Sequence, residues 1–459
     1  MADPAERIVE NEDAYALNAA TVDAILAAVE AGERLRLIET LDHLHPADIA
    51  DLLEQIDVSQ RERLIELWGK DLNPEVLSEL EEGARDLVLA TLTPDQLSSA
   101  VQELETDDVV YLVEDMDEPQ QEILLDALDD ADRVAVEQSL TYDEYSAGRM
   151  MQREMVTAPE HWTVGDIIDF MRASDDLPEQ FYDIIIVDPA LKPVGEVRLG
   201  KVMAHPRTVK LSTLMEDEFR TIPVNQSQED VAYAFNQYHM IQAPVVDEHG
   251  RLVGTITIDD AMDVLEDEAE EDMRLLAGVG DEEISDSTWA IAKRRFPWLL
   301  VNLLTAVIAS IVISLFADTL EAVVALAILM PIVASMGGNA ATQTLTVAVR
   351  AIATRDLTAS NMMRVVRREL VAGTLNGVAF AIIIAIIGMV WFGIPMLGVV
   401  LAIAMVGNLA VAGLAGILIP IALDKAGADP ALASGTFVTT VTDVVGFMLF
   451  LGLASALLL

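Results

Sequence analysis

From Leu370 to Leu423 the chain runs 54 residues without a charged side chain, broken only by the turn-forming stretch Trp391-Phe392-Gly393-Ile394-Pro395. A helix that crosses a bilayer needs roughly 20 apolar residues. This run therefore supplies two spans joined by a tight turn. Phe296 to Phe316 adds 21 uncharged residues, Ala322 to Val349 adds 28, and Ala431 to Leu459 is apolar apart from Asp443. Five membrane helices are expected.

Basic residues set their direction. Lys293, Arg294 and Arg295 precede the first span. Arg350, Arg355, Arg364, Arg367 and Arg368 lie between the second and third, and Lys425 lies between the fourth and fifth. The opposite connections carry Asp318 and Glu321 or no charge. The expected topology is N-terminus cytoplasmic and C-terminus outside, as a multi-pass protein of a bacterial inner membrane. The opening residues, Met1-Ala2-Asp3-Pro4-Ala5-Glu6, have no early apolar run and do not read as a secretory signal.

Ahead of the spans the composition reverses. Residues 289–459 hold 9 Lys/Arg and 7 Asp/Glu, whereas residues 1–288 hold 19 and 69. So acidic a front part repels nucleic acid and anionic lipid, and calls for small cations as counter-charges. The absence of cysteine excludes disulfides, thiolate nucleophiles and Cys-ligated metal sites.

Residues 1–139 read as an all-α domain of short amphipathic helices with a loose repeat, in which Leu44-His45-Pro46-Ala47-Asp48 matches Leu92-Thr93-Pro94-Asp95-Gln96. Proline near each start suits the first helical position, and the spacing predicts a small solenoid. Residues 140–203 and 204–262 each read as β-turn-β-α, centred on Asp183-Ile184-Ile185-Ile186-Val187-Asp188 and on Ala243-Pro244-Val245-Val246-Asp247. Together they resemble a tandem CBS pair of α/β type, the second copy more closely. Residues 263–288 connect this pair to an all-α five-helix membrane domain, 289–459. The stretch Gly195-Glu196-Val197-Arg198-Leu199-Gly200-Lys201 mimics a phosphate loop, but Val202 stands where that motif needs Ser or Thr. Nucleotide hydrolysis is not expected, nor is any other enzymatic chemistry.

Two features inside the spans carry the expected chemistry. Asp443 is the one carboxylate within an apolar run, at an insertion cost of about 2.5–3.5 kcal/mol. Thr436, Thr439, Thr440 and Asp443 recur at helical spacing, so hydroxyls and carboxylate share a face, with Gly435 and Gly446 nearby. The segment Pro331 to Gln343, with Gly337, Gly338 and Asn339 at its centre, is expected to loosen or break its helix and open a polar path. A close-packed small-residue contact is the plainer reading of those glycines. The spans hold no histidine. Carboxylate, hydroxyl, amide and carbonyl oxygens suit a hard cation such as magnesium. The linker Asp259 to Asp272 is acidic at nine of fourteen positions, and Met262, Leu265, Ala269 and Met273 give it one apolar stripe expected to be buried.

The order of these parts resembles the MgtE family of magnesium channels, as do Met330-Pro331 through Gln343, Arg350-Ala351-Ile352-Ala353-Thr354-Arg355-Asp356, Asp429-Pro430-Ala431-Leu432, Thr442-Asp443-Val444-Val445-Gly446 and Val253 to Asp260. The resemblance implies a homodimer with one pore on its two-fold axis, in which Asp443 meets hydrated Mg2+ beside Thr439 and Thr440. It implies that the linker acts as a plug, closed when cytosolic Mg2+ binds Asp260, Asp263, Glu268, Glu271 and Asp272, with Glu229 from the second CBS unit. His239 stands where the family pattern has an acid. The family binds ATP at its CBS pair, but the acidic nucleotide ligand is replaced near Gly200 and Lys201, so ATP is an ill-matched cofactor here. The residues alone leave two other readings open: a gradient-coupled transporter of another divalent cation such as cobalt, and a membrane-tethered sensor.

Overall fold

The computed structural model describes residues 17–459 apart from 115, 117, 175, 176, 179, 217, 281–287 and 434. The opening segment Met1 to Glu6 and part of the 263–288 connection lie outside the described residues. Contacts group Met1–Glu266 into one compact unit and Asp267–Leu459 into another.

In the first unit, residues 19–139 form short helices around a core that includes Leu52, Leu53, Leu64, Trp68, Val88 and Leu112. Capping explains where several of them start. His45 and Asp48 close a capping box ahead of Pro46–Gln55, Asp57 and Gln60 do so for Val58–Trp68, and Thr93 and Gln96 for Pro94–Val101. Pro46 and Pro94 fill the position whose N–H has no helical partner.

Two small sheets follow. In the first, β1 (Thr157–Pro159) runs parallel to β2 (Asp183–Val187), which pairs antiparallel with β3 (Pro193–Arg198). In the second, β4 (Ile222–Pro223), β5 (Gln242–Val246) and β6 (Leu252–Thr257) repeat that order. The register shifts at the same place in both, between Ile186 and Val187 and between Val245 and Val246. Asp188 and Asp247 brace the two hairpin turns alike, each accepting backbone N–H bonds from residues two and four positions on. The copies meet where the Asp183 N–H donates to Gln242 Oε1 at 3.2 Å. Gly195 and Lys201 belong to this scaffold: Gly195 lies in β3, and Lys201, in the short helix Leu199–Ala204, is paired with Glu216 at 3.0 Å.

A linking helix, Ile258–Ala277, starts inside the first unit because Thr257 and Asp260 cap it. Its apolar stripe does not behave as the sequence predicts. Met262 is 64% exposed and Met273 65%, with Leu265 also exposed. Burial falls instead on Ala261 at one end and on Leu275 and Leu276 near the other, which pack into the second unit's apolar clusters. Nine acids on so short a helix keep much of its middle exposed to water.

Among the described residues five helices are long and apolar enough to cross a membrane: Thr288–Ser314, Ala325–Ala353, Met362–Phe392, Pro395–Lys425 and Gly435–Leu458. They are called the first to fifth spans. The fourth is the most buried and packs on the second, third and fifth.

Candidate functional site

The second span is one continuous helix through Pro331, Gly337 and Gly338, so the expected break does not occur. The glycines serve packing at this point. Asn408 of the fourth span is fully buried, and its amide donates to the Val333 carbonyl at 2.9 Å. A Cβ on Gly337 would sit 2.2 Å from Asn408 Nδ2, and one on Gly446 2.9 Å from the same atom. Both glycines therefore make room for one amide wedged between three helices. Asn408 Oδ1 is buried with no hydrogen-bond partner among the described residues. Sequence reasoning missed Asn408, because an Asn in a long apolar run gives no hint of which neighbour receives it.

The second and fifth spans pack directly on one another. A Cβ on Gly338 would lie 3.2 Å from Thr439 Cγ2, and one on Gly435 3.8 Å from Thr342 Oγ1. Numbers rise on one helix as they fall on the other, so the pair is antiparallel, and one further turn puts Asp443 level with Ala334. Ser335, Asn339, Thr342, Gln343 and Thr346 form an exposed polar stripe on the second span. Thr436, Thr439, Thr440 and Asp443 are half-buried on the fifth. Several hydroxyls donate back into their own helix: Thr342 to the Gly338 carbonyl, Thr346 to Thr342, and Thr439 and Thr440 to Thr436. Their lone pairs then face outward as acceptors. The Asp443 carboxylate makes no hydrogen bond or ion pair among the described residues. Such a surface in hydrocarbon requires either water or a second polar surface against it.

The linking helix ends beside this stripe. Leu275 and Leu276 pack with Ala341, Ala431 and Val438. Asp272, near Asp429 and Glu271, has its carboxyl pushed up to about 6, first by burial and then by those two acids.

Within the first unit the structure gathers a cluster that the sequence marks only through Asp260. Burial, reinforced by neighbouring acids, raises Glu105 and Asp260 to about 7 and Asp108 to about 6, and pushes Asp107 well above its ordinary range. Asp259 and Glu154 are among the acids acting on them. Glu154 is fixed by Thr106, whose hydroxyl donates at 2.7 Å. Asp107 and Asp108 were legible only as two of 69 acids. Glu229 stands exposed in the first turn of Gln228–Tyr238, and His239 closes that helix in the left-handed conformation. Asp263 and Glu271 are exposed and Glu268 is half-buried along the linking helix. Among the described residues no three acids or histidines converge tightly enough to enclose an ion. The all-oxygen donor set is nonetheless of the kind a hard divalent cation prefers.

Comparison with known proteins decides the family. The chain is 34% identical over 448 residues to a magnesium transporter MgtE of Thermus thermophilus, covering 94% of this chain and 97% of that one. The chain belongs to the MgtE family. A MgtE of Bacillus subtilis is 31% identical over 417 residues, covering 91% and 92%. Family profiles match residues 330–453 as a divalent cation transporter, 44–145 as the MgtE intracellular N domain and 211–267 as a CBS domain. The solved cytosolic domain of a Mg2+ channel MgtE in complex with ATP is similar at 31% identity and a TM-score of 0.50, covering 53% of this chain and 99% of that one. Membership in the MgtE family makes this chain a transport protein rather than an enzyme.

Proposed function

We propose that this protein is a Mg2+ channel of the inner membrane, admitting the ion to the cytosol along a path lined by the second and fifth spans. The observation that carries this reading is the unpaired Asp443 beside a row of outward-facing acceptor oxygens on adjacent apolar helices. Gly338 and Asn339 border the path, as do Thr439 and Thr440, while Gly337, expected there from the sequence, packs behind them on Asn408. A homodimer would set two such surfaces face to face, with two Asp443 carboxylates flanking one hydrated ion. Magnesium sheds water reluctantly, so few carboxylates and many hydroxyls suit it. A divalent ion gains about 4.6 kcal/mol from a 100 mV inside-negative potential, twice the single-charge value, and needs no fuel.

Closure follows from the acidic cluster. Glu105, Asp107, Asp108 and Asp260 repel one another in a partly buried setting, and divalent cations relieve that cost. Cytosolic Mg2+ held there, and along Asp263, Glu268, Glu271 and Asp272 with Glu229, would draw the acidic surfaces together and press the linking helix against the mouth of the fifth span. The ATP-bound relative favours a second, nucleotide-sensing reading of the CBS pair. Against it, Lys201 is already held by Glu216 where the acidic nucleotide ligand is expected.

The test is Mg2+ entry into proteoliposomes under an imposed potential. Asp443→Asn abolishes selective entry if the path is right; undiminished selective flux rules it out. Entry that needs a proton or sodium gradient identifies a coupled transporter instead.

A further inference from the structure

We propose that the cavity at the cytoplasmic edge of the third span is a phospholipid headgroup site, in which Arg364 and Arg368 hold the lipid phosphate. The cavity measures 380 Å³ and lies among the end of the second span, the start of the third, their connection, and the fourth. That volume falls within the roughly 300–1,000 Å³ of small-molecule sites. Arg364 and Arg368 are four residues apart, so they share one helical face, and both line the cavity.

Their hydrogen-bonding states are complementary. Arg368 donates Nε and Nη2 to Glu369 at 3.1 and 3.0 Å, leaving its other terminal nitrogen for a ligand. The Arg364 guanidinium makes no hydrogen bond or ion pair among the described residues. A guanidinium fork matches a phosphate better than any other common headgroup element. Asp356 and Glu369 also line the cavity. They balance the two arginines and so select a singly charged phosphate diester over a free phosphate dianion. Val347, Leu357 and Val365 form an apolar wall beside the polar end, as an amphiphile requires.

Depth fits as well. The uncharged run begins at Leu370, so at about 1.5 Å per residue Arg368 and Arg364 lie only ~3 and ~9 Å outside it. Each headgroup layer is roughly 5–8 Å thick. Basic pockets between spans at that level bind lipid headgroups as a class.

This inference rests on the orientation adopted above, but its test needs no ion flux. The full chain, stripped of lipid in detergent, is titrated with phosphatidylglycerol and bound lipid is read by native mass spectrometry. The double variant Arg364→Gln/Arg368→Gln should bind about thirtyfold more weakly, at roughly 1 kcal/mol per arginine. Arg367→Gln, one residue away and outside the cavity lining, should bind as the unaltered chain does. Asp443→Asn should keep its lipid while losing flux, which separates failure of this site from failure of the channel reading. Thermal melting of each variant verifies folding, and Arg368→Lys with partial binding supplies a folded intermediate. Unchanged lipid binding in the double variant overturns the proposal, as does displacement of the lipid by millimolar inorganic phosphate.

Discussion

In the first unit, acids crowd around Asp107 and Asp260 with enough burial to lift several carboxyls to between about 6 and 7. In the fifth span, one acid stands among threonines, with no ionic partner among the described residues. In the function proposed above both places meet Mg2+, but on different terms. A crowd of carboxylates gains by binding ions and holding them, which suits a sensor. A lone carboxylate beside hydroxyl oxygens attracts a hydrated ion without stripping or trapping it, which suits conduction. The contrast teaches that affinity and throughput are set by how many charges share a site and how dry it is.

The largest effect expected from breaking this contrast is in gating. The variant Asp107→Asn/Asp108→Asn/Asp260→Asn should raise the cytosolic Mg2+ needed for closure by at least tenfold while leaving maximal entry intact. Flux against internal Mg2+ measures it, and an unmoved midpoint removes these acids from the sensor. If the linking-helix acids share the task, Asp263→Asn/Glu268→Gln/Glu271→Gln should weaken the protection that Mg2+ gives against protease by a similar factor.

A smaller effect concerns packing in the membrane unit. Gly337→Ala puts a methyl 2.2 Å from the buried Asn408 amide. It should destabilise the fold by about 1–3 kcal/mol, the usual range for overpacking. Gly338→Ala faces the more yielding Thr439 methyl at 3.2 Å and should cost less. Equal melting temperatures for the two would show that Asn408 is not a fixed wedge.

The smallest effect concerns pH. Glu196 is raised from 4.5 to about 7, first by burial and then by Asp183 and Glu216. Its folded-state value lies above its unfolded one, so the folded state binds the extra proton. Stability is therefore fully present below about pH 4.5 and declines as pH rises through about 7. The loss is roughly 1–2 kcal/mol once solvent screening at a half-exposed side chain is allowed for. Glu196→Gln should flatten that part of the melting profile; an unchanged slope would assign it to other groups.

Much of this was legible beforehand, for reasons particular residues make plain. Uncharged runs bounded by Arg350, Glu369 and Asp424 leave few alternatives to five spans, and the doubled hairpin around Asp188 and Asp247 announces two related units. The second-span glycines misled, since a sequence does not say whether a glycine loosens its own helix or admits a neighbour's side chain. Here Gly337 admits Asn408. The linker stripe misled for a related reason: Met262 and Met273 have helical spacing but no described surface to cover them. The cluster around Asp107 lay hidden because its two groups, Glu105 to Asp108 and Asp259 to Asp260, are far apart in sequence and each member resembles a solvated acid.

The central claim is that Asp443 faces water within the membrane and competes for Mg2+. The chain has no cysteine, so Asp443→Cys carries a single thiol. Reconstituted in liposomes, that thiol should react with a charged, water-soluble thiosulfonate at least a hundredfold faster than Ile311→Cys on the exposed apolar face of the first span, and millimolar Mg2+ should slow the reaction. A thiol at position 443 that labels no faster than one at 311, with or without Mg2+, would contradict the claim.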